Sequence, residues 1–596
     1  QLEAVNMEPI DNSPSPEDDS FSPDSHLWSE DITEPPDIFE VGEEYAVKKK
    51  KKKKLGFKRN KTAVPSVTTP PKSSRRGFGL PLWNVWVVRV GDKIWVTLLA
   101  HRLEFLFAVV ACAIFAVILS LPSMIISRKD ASKDVSTILN SGSGYSNQQM
   151  KNWLISSQIS RNASFDSDTS PQSRALDYVS SLFPEMDMND SKQVSMFKEL
   201  YALTTFYLAT SEEDTENSSS EYLKGKHHPW NEEGMWFSND NICEGKEWYG
   251  IECGSTDPQH VISIDLKENF LNGRIPHEVN GVAFEFLEYL DLSDNNIGGT
   301  LSPDLGTFTS LKYLDVSGNL LGGEIPSELK GLSSLVVMDL SKNNFNGTVH
   351  YGLFGKSHQL ETVNIQDNLL YGKLPRTMGS LKNLRELAIS NNMFSGTLPA
   401  MNHVKTLESV AMRGNILSGE LSSNLKHWKN ITYLDVYDNL FEDVMRDLKL
   451  GKLHKLESLD LGRNSFIGSI SSNMGLLLEM IDFSENDLSG NIPYQISNMA
   501  NLKELRLDGN MISGDIPPGF KHLYNLEFLI LKDNYFDQEM HSDDDLGTEW
   551  KSIVEIKLDG NSIHGTIPNS FCRLKNEMKL QVLVADCDII VCDCCT

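Results

Sequence analysis

The sequence predicts an α/β solenoid, preceded by a single transmembrane helix and a disordered N-terminal tail. Three observations carry that prediction. A motif written L-x-L-x-x-N-x-L-x-G-x-I-P recurs thirteen times from Val261 onward. Stacking such units buries an apolar row that no single unit can bury alone. A run of 22 uncharged residues, Phe105 to Ile126, matches the length of a bilayer-crossing helix. The formal charge of −27 over 596 residues is laid out in blocks, which points to segments in different environments.

Residues 1–47 hold fourteen Asp or Glu and no Lys or Arg, with many Ser and Pro. They carry too few apolar side chains to offset the entropy of ordering, so a disordered acidic tail is expected. Residues 48–104 form a basic juxtamembrane segment opened by seven lysines, Lys48 to Lys54. Such a run serves nuclear import, contact with anionic lipid, or the setting of topology. Trp83, Trp86 and Trp95 alternate with aliphatics, as in an interfacial segment or an unstructured lead-in.

Residues 105–126 then read as the transmembrane helix. About 33 Å of helix suffices for a hydrocarbon core of about 30 Å. Most flanking Lys and Arg lie before the run, so the positive-inside rule places the N-terminus in the cytosol. The remainder is expected to be extracellular or lumenal, a single-pass signal-anchor arrangement. Five Asn-x-Ser/Thr sequons after the span suit a glycoprotein: Asn162, Asn189, Asn217, Asn346 and Asn430. Residues 127–191, rich in Ser, Asn, Asp and Gln, read as a flexible stalk. Residues 192–260 read as an amphipathic helix, on Val194, Phe197, Leu200, Tyr201, Leu203 and Leu208, followed by an N-terminal cap.

The thirteen repeats occupy 261–568. Their second apolar position runs from Leu266 to Leu558, twelve steps over 292 residues, a period of about 24. Three residues after it stands an Asn in every repeat, from Asn269 to Asn561. Seven after it stands Gly in eleven of thirteen, Asp443 and Gln538 being the exceptions. The alternating L-x-L is a strand with one buried face. An inward Asn can satisfy turn backbone groups that would otherwise be buried unpaired. The Gly permits a backbone conformation that a side chain resists. Residues 569–596 carry Cys572, Cys587, Cys592, Cys594 and Cys595 and read as a Cys-rich C-terminal cap, with a metal or redox C-x-x-C as the alternative.

This Asn, Gly and Ile-Pro register resembles the plant-type leucine-rich repeat. The resemblance implies a right-handed, curved solenoid whose concave parallel sheet faces ligands. Residues 236–253 resemble the N-terminal cap of such arrays through Cys243, Trp248, Gly250 and Cys253, which implies a Cys243–Cys253 disulfide. The Cys-rich tail, with the upstream apolar helix and aromatic cap, is similar to membrane-anchored repeat proteins of diatoms and related algae.

No phosphate-binding loop, H-E-x-x-H, G-x-S-x-G or kinase catalytic-loop signature occurs in the sequence, so no enzyme and no cofactor is expected. The acidic balance argues against nucleic acid. Between the two strand apolars lies a strip that includes Asp265, Asp291, Asp315, Asp339, Asp435, Asp460 and Asp482, then Arg506, Ile530 and Lys557. Two readings stand: a ligand-attracting strip, or carboxylates satisfying turn amides. Repeats seven and eight depart most from the consensus, and Arg413, Tyr433, Asp435 and Tyr437 are the expected ligand contacts. The expected function is a membrane-anchored, receptor-like or co-receptor-like recognition protein for a protein, peptide or glycan, whose signal transfer would need a signalling co-receptor or the short cytosolic tail. The alternative is a structural adhesion or cell-wall scaffold.

Overall fold

The computed structural model describes residues 145–211 and 248–594, with short gaps at 256–258, 356–358, 587 and 593, together with 88–90, 93–95, 230, 236, 242 and 243. The chain divides into two units, Gln1–Ser127 and Arg128–Thr596. In the first, strands Val88–Val90 and Lys93–Trp95 pair antiparallel. The acidic tail, the transmembrane run 105–126, Asn217, Cys587 and Cys595 lie outside the described residues. Among the described residues no helix is long and apolar enough to cross a membrane.

The second unit begins with three helices: α1 (Asn147–Ser156), α2 (Pro171–Leu182) and α3 (Ser191–Thr210). Over residues 145–191 this corrects the flexible stalk expected at 127–191. The polar residues there cap helices instead of spacing a coil. Ser146 and Ser170 accept amide hydrogens at the starts of α1 and α2, and Ser146 forms a reciprocal capping box with Gln149. Met150, Leu154, Ala175, Leu176 and Val179 are buried, with Trp153, Ile155, Tyr178 and Leu182 packed partly against them. α3 follows the expected helix, started by Asp190, which accepts from the Lys192 and Gln193 amides.

These helices are docked on the first coil through buried polar groups. Ser160 donates to Glu278 Oε1 at 2.7 Å, and Gln172 donates to Glu278 Oε2 at 3.1 Å. Glu199, whose carboxyl burial pushes up, meets His260 at 3.0 Å and accepts the Val261 amide at 3.4 Å. Trp236 lies between Trp230, edge-on at 4.7 Å, and Trp248, tilted at 4.8 Å, and Cys243 and Cys253 form a disulfide.

The solenoid follows. A 15-stranded sheet opens with antiparallel Ile251–Cys253 and continues parallel from Val261–Asp265 to Val582–Val584. The last strand is a fourteenth parallel one, inside the segment expected to be only a cap. It adds a coil because Leu583 still finds an apolar row to cover. Cys572 and Cys594 are disulfide-bonded there.

The Asn column behaves as a ladder. In twelve successive coils, Asn295 to Asn561, the side-chain oxygen accepts an amide of the preceding coil. Asn368 is representative: Oδ1 accepts from Phe345, and Nδ2 donates to the Leu340, Ile365 and Gln366 carbonyls at 3.0–3.3 Å. One side chain therefore ties two coils together and fills turn acceptors that water cannot reach.

The Gly column lies in shorter parallel sheets of eight, four and three strands beside the long one. The eight-stranded sheet ends in coil eight, at Leu440–Phe441, and the four-stranded one in coil twelve, at Tyr535–Phe536. These are the coils where Asp443 and Gln538 replace Gly. Elsewhere the Gly has positive φ, +79° at Gly347 for example. At the two exceptions the side chain substitutes for pairing: Asp443 accepts the Ser422 amide at 2.9 Å and Gln538 the Ile516 amide at 3.0 Å.

Candidate functional site

The long sheet presents two columns of side chains away from the core. Cα register pairs Ser409, Tyr433, Ser458, Met480, Glu504 and Phe528 in one column. It pairs Ala411, Asp435, Asp460, Asp482, Arg506 and Ile530 in the other. Because the strands are only about 4.8 Å apart, groups from neighbouring coils meet directly.

The four expected contacts come together. Arg413 reaches across its neighbouring strands, Nη1 lying 3.5 Å from Asp435 and Nη2 3.8 Å from Asp460. Its guanidinium carbon sits 5.0 Å from the Tyr437 ring centre, and that of Arg463 lies 5.9 Å from the same ring. Tyr433 donates its hydroxyl to Asp435 Oδ2 at 3.3 Å. Arg463 also bonds Glu485 at 3.2 Å, which fixes the second cation in place.

Their accessibilities differ, and here the sequence expectation needs correction. Asp435 is only 2% exposed and Tyr433 37%. Asp435 lies beneath Arg413 and Tyr433, and its other oxygen accepts the Tyr437 amide at 3.0 Å. It holds the site together instead of presenting itself. The same arrangement recurs along the strip: Asp291, Asp315, Asp339, Asp460 and Asp482 each accept the amide two residues on, at 2.8–3.0 Å. Of the two readings of the strip, turn satisfaction is therefore the one met at every one of these positions.

Packing carboxylates in a row nevertheless has an electrostatic consequence. Burial, then Asp482 and Asp435, push Asp460 up to about 7, against the Gly462 amide and Arg413. Burial likewise raises Asp435 and Asp482. Tyr433 is pushed up to about 12, by burial and then by Asp435. Arg413 thus balances a row of carboxylates that resist ionising together.

Next to this cluster the same face opens into a shallow groove of about 310 Å³. It is lined by Glu457, Ser458, Glu479, Met480, Lys503, Glu504, Glu527 and Phe528. None of these was singled out from the sequence. They occupy the strand position just before the first buried apolar residue and the position preceding that, columns whose identity varies from coil to coil. Tabulating those columns would have exposed the Glu-rich stretch of coils nine to twelve. Among the described residues no group of His, Cys, Asp and Glu has the arrangement of a metal site.

Of the sequons in the described residues, Asn162, Asn189 and Asn346 are exposed, and Asn430 is partly covered, donating to the Lys405 carbonyl at 3.1 Å.

The leucine-rich repeat family model matches residues 286–308, 310–332, 501–523 and 552–574. Receptor-like protein 18 of Arabidopsis thaliana is 32% identical over 116 residues, 20% of this chain and 13% of that protein. Among solved structures, the chain is similar to a TDR receptor, with 30% identity and a TM-score of 0.51 over 56% of each chain. The plant peptide hormone receptor RGFR1 in complex with RGF2 gives 32% identity and 0.51, over 55% of this chain and 51% of that one. PEPR1 with AtPEP1 gives 28% identity and 0.50, over 58% and 50%. The chain therefore spans 50–56% of these structures and a smaller share of the curated relative. The solenoid is thus similar to the leucine-rich repeat arrays of these plant receptors, and four of its segments match the repeat model itself.

Proposed function

We propose that the chain is a receptor-like recognition protein that binds a protein, peptide or glycan through the long-sheet face of coils seven to twelve. The observation that carries this reading is the cluster of Arg413, Tyr433, Tyr437 and Arg463 above buried Asp435 and Asp460, beside an open groove. Aromatic and arginine side chains held rigidly by their neighbours are what an interface anchor needs, because little conformational freedom remains to be lost on binding. Likeness to the TDR and RGFR1 receptors supports the same reading.

The rest of the proposal follows from the sequence. The apolar run 105–126 anchors the chain in a membrane with its N-terminus cytosolic, and N-glycans occupy Asn162, Asn189, Asn217, Asn346 and Asn430. Signal transfer then passes through a partner or through the short cytosolic segment. Protease added to sealed vesicles should trim the tail and spare the array, and digestion of the array would reverse the orientation.

For recognition itself, the full chain is used to capture ligands from culture medium, and the captured species is titrated against wild type and Tyr433→Ala/Tyr437→Ala. The double variant should melt normally and lose about 10-fold or more in affinity, since each hot spot contributes roughly 1–2 kcal/mol. Unchanged affinity in a folded variant moves the site off coils seven and eight. Broad, salt-sensitive attachment to wall polymer, with no saturable ligand, would make the chain an adhesion scaffold.

A further inference from the structure

The groove of coils nine to twelve has a chemistry of its own. Four carboxylates line it, Glu457, Glu479, Glu504 and Glu527, against a single cation, Lys503. Two of the four are already engaged. Lys503 holds Glu479 at 2.6 Å, and Arg506 holds Glu504. Neither Glu457 nor Glu527 forms an ion pair within 4 Å among the described residues, although Lys503 also attracts Glu527 at longer range. These two glutamates immediately precede the first and last of four adjacent strands of the sheet, Ser458–Asp460, Met480–Asp482, Glu504–Arg506 and Phe528–Ile530. Three strand spacings separate them, about 14 Å. Met480 and Phe528 supply partly exposed apolar surface in the same groove.

A lysine or arginine side chain carries a long aliphatic stem and a charged head, so it matches an apolar floor with a carboxylate at its edge. Two such side chains four residues apart on an extended peptide lie about 13 Å apart, since a strand rises about 3.3 Å per residue. That spacing fits the two glutamates that have no close ion pair.

We propose that this groove binds an extended peptide segment carrying two basic residues at positions i and i+4, one at Glu457 and one at Glu527, with their stems on Met480 and Phe528. This deepens the recognition reading above and rests on it. The remaining groove charges favour the same occupant. Lys503 is neutralised by Glu479 and so leaves the centre of the groove without net repulsion, while Arg506 does the same for Glu504.

The test is a random 12-residue peptide library displayed on phage and panned on the purified full-length chain at physiological salt. Selected peptides are then synthesised and titrated against three proteins: wild type, Glu457→Gln/Glu527→Gln, and a control pair, Glu328→Gln/Glu420→Gln. The control removes two exposed charges elsewhere, which separates a groove effect from general attraction to a chain of charge −27. Lys or Arg should be enriched at i and i+4. The groove variant should weaken these peptides at least 10-fold while the control changes them less than 2-fold. All three proteins should show the same thermal midpoint. Enriched peptides that lack the basic pair, or that bind the groove variant and wild type equally, would overturn the groove assignment while leaving recognition by the face intact. Failure to enrich any peptide would overturn peptide recognition by this face, and the groove assignment with it.

Discussion

Coils one to four and coils seven to ten are built on the same frame and present different surfaces. Apart from Ala411 in coil seven, both place an Asp after the central apolar residue of the strand, and in both that Asp accepts the amide two residues on. In the first region Tyr289 and Tyr313 stack at 4.3 Å and donate their hydroxyls to Asp291 and Asp315 at 3.2 Å. In the second, one tyrosine does the same to Asp435, and Arg413 spans Asp435 and Asp460. The difference shows that repeat identity fixes the backbone and its internal hydrogen bonds, whereas the surface depends on which cation or ring stands in the neighbouring coil.

The sharpest way to break this comparison is to attack the shared frame. Asn319→Ala and Asn439→Ala each remove one accepted and three donated hydrogen bonds of the ladder. Each should cost about 1–3 kcal/mol, nearly equally, because a buried amide or carbonyl is left unpaired in either region. Urea unfolding of the two variants measures this, and a cost confined to one region would mean that the frame is not common.

The second effect distinguishes the regions by pH. Asp460 is raised to about 7 when folded from 3.8 otherwise. The native state therefore holds this proton over a window in which the unfolded state has lost it. Its contribution to stability is complete below the lower value and disappears as pH rises through the upper one. Asp460→Asn should flatten the decline between about pH 4 and pH 7 by on the order of 1–2 kcal/mol. Parallel pH profiles for variant and wild type would place the titration elsewhere.

A smaller effect is expected at Arg413. Its ion pairs are at 3.5 and 3.8 Å and its side chain is half exposed, so Arg413→Ala should lose about 1 kcal/mol at pH 8. The loss should shrink near pH 5, where Asp460 carries a proton; a loss independent of pH would reduce Arg413 to a packing role over Tyr437.

The smallest change is expected in the first region. Tyr289→Phe removes one hydrogen bond at a half-buried site and keeps the ring stack, so about 0.5–1 kcal/mol should be lost. Larger losses here than at Arg413 would invert the comparison.

Much of this was legible in advance because the repeat is a physical constraint written thirteen times. The ladder Asn and the parallel strands follow from periodicity, since a coil that leaves its turn amides unpaired cannot stack. The Cys243–Cys253 disulfide followed from resemblance to a known cap, and the structure contains it. The helices α1 and α2 were not legible, because short polar segments become helical through capping and through apolar packing on each other and on α3, as between Trp153 and Phe197.

The sequence by itself also failed to mark one regularity. The residue before each ladder Asn has left-handed φ in all thirteen coils, +51° at Lys342 and +54° at Asp438, yet only four of them are Gly. Stacking enforces that conformation against a local cost of about 1–2 kcal/mol per residue, so propensity could not reveal it.

What the sequence determined is the frame: the number of parallel strands in the long sheet to within one, the inward row, the ladder and the Gly column with its two exceptions. These depend on spacing along the chain, which is visible in one dimension. What only the tertiary structure decided is the face. Arg413 meets Asp460 across 47 positions, and Glu457 shares a groove with Glu527, because stacking turns a separation of about two dozen residues into one of about 5 Å. Burial then decides which charges present themselves, and Asp435 loses that role to the residues lying over it.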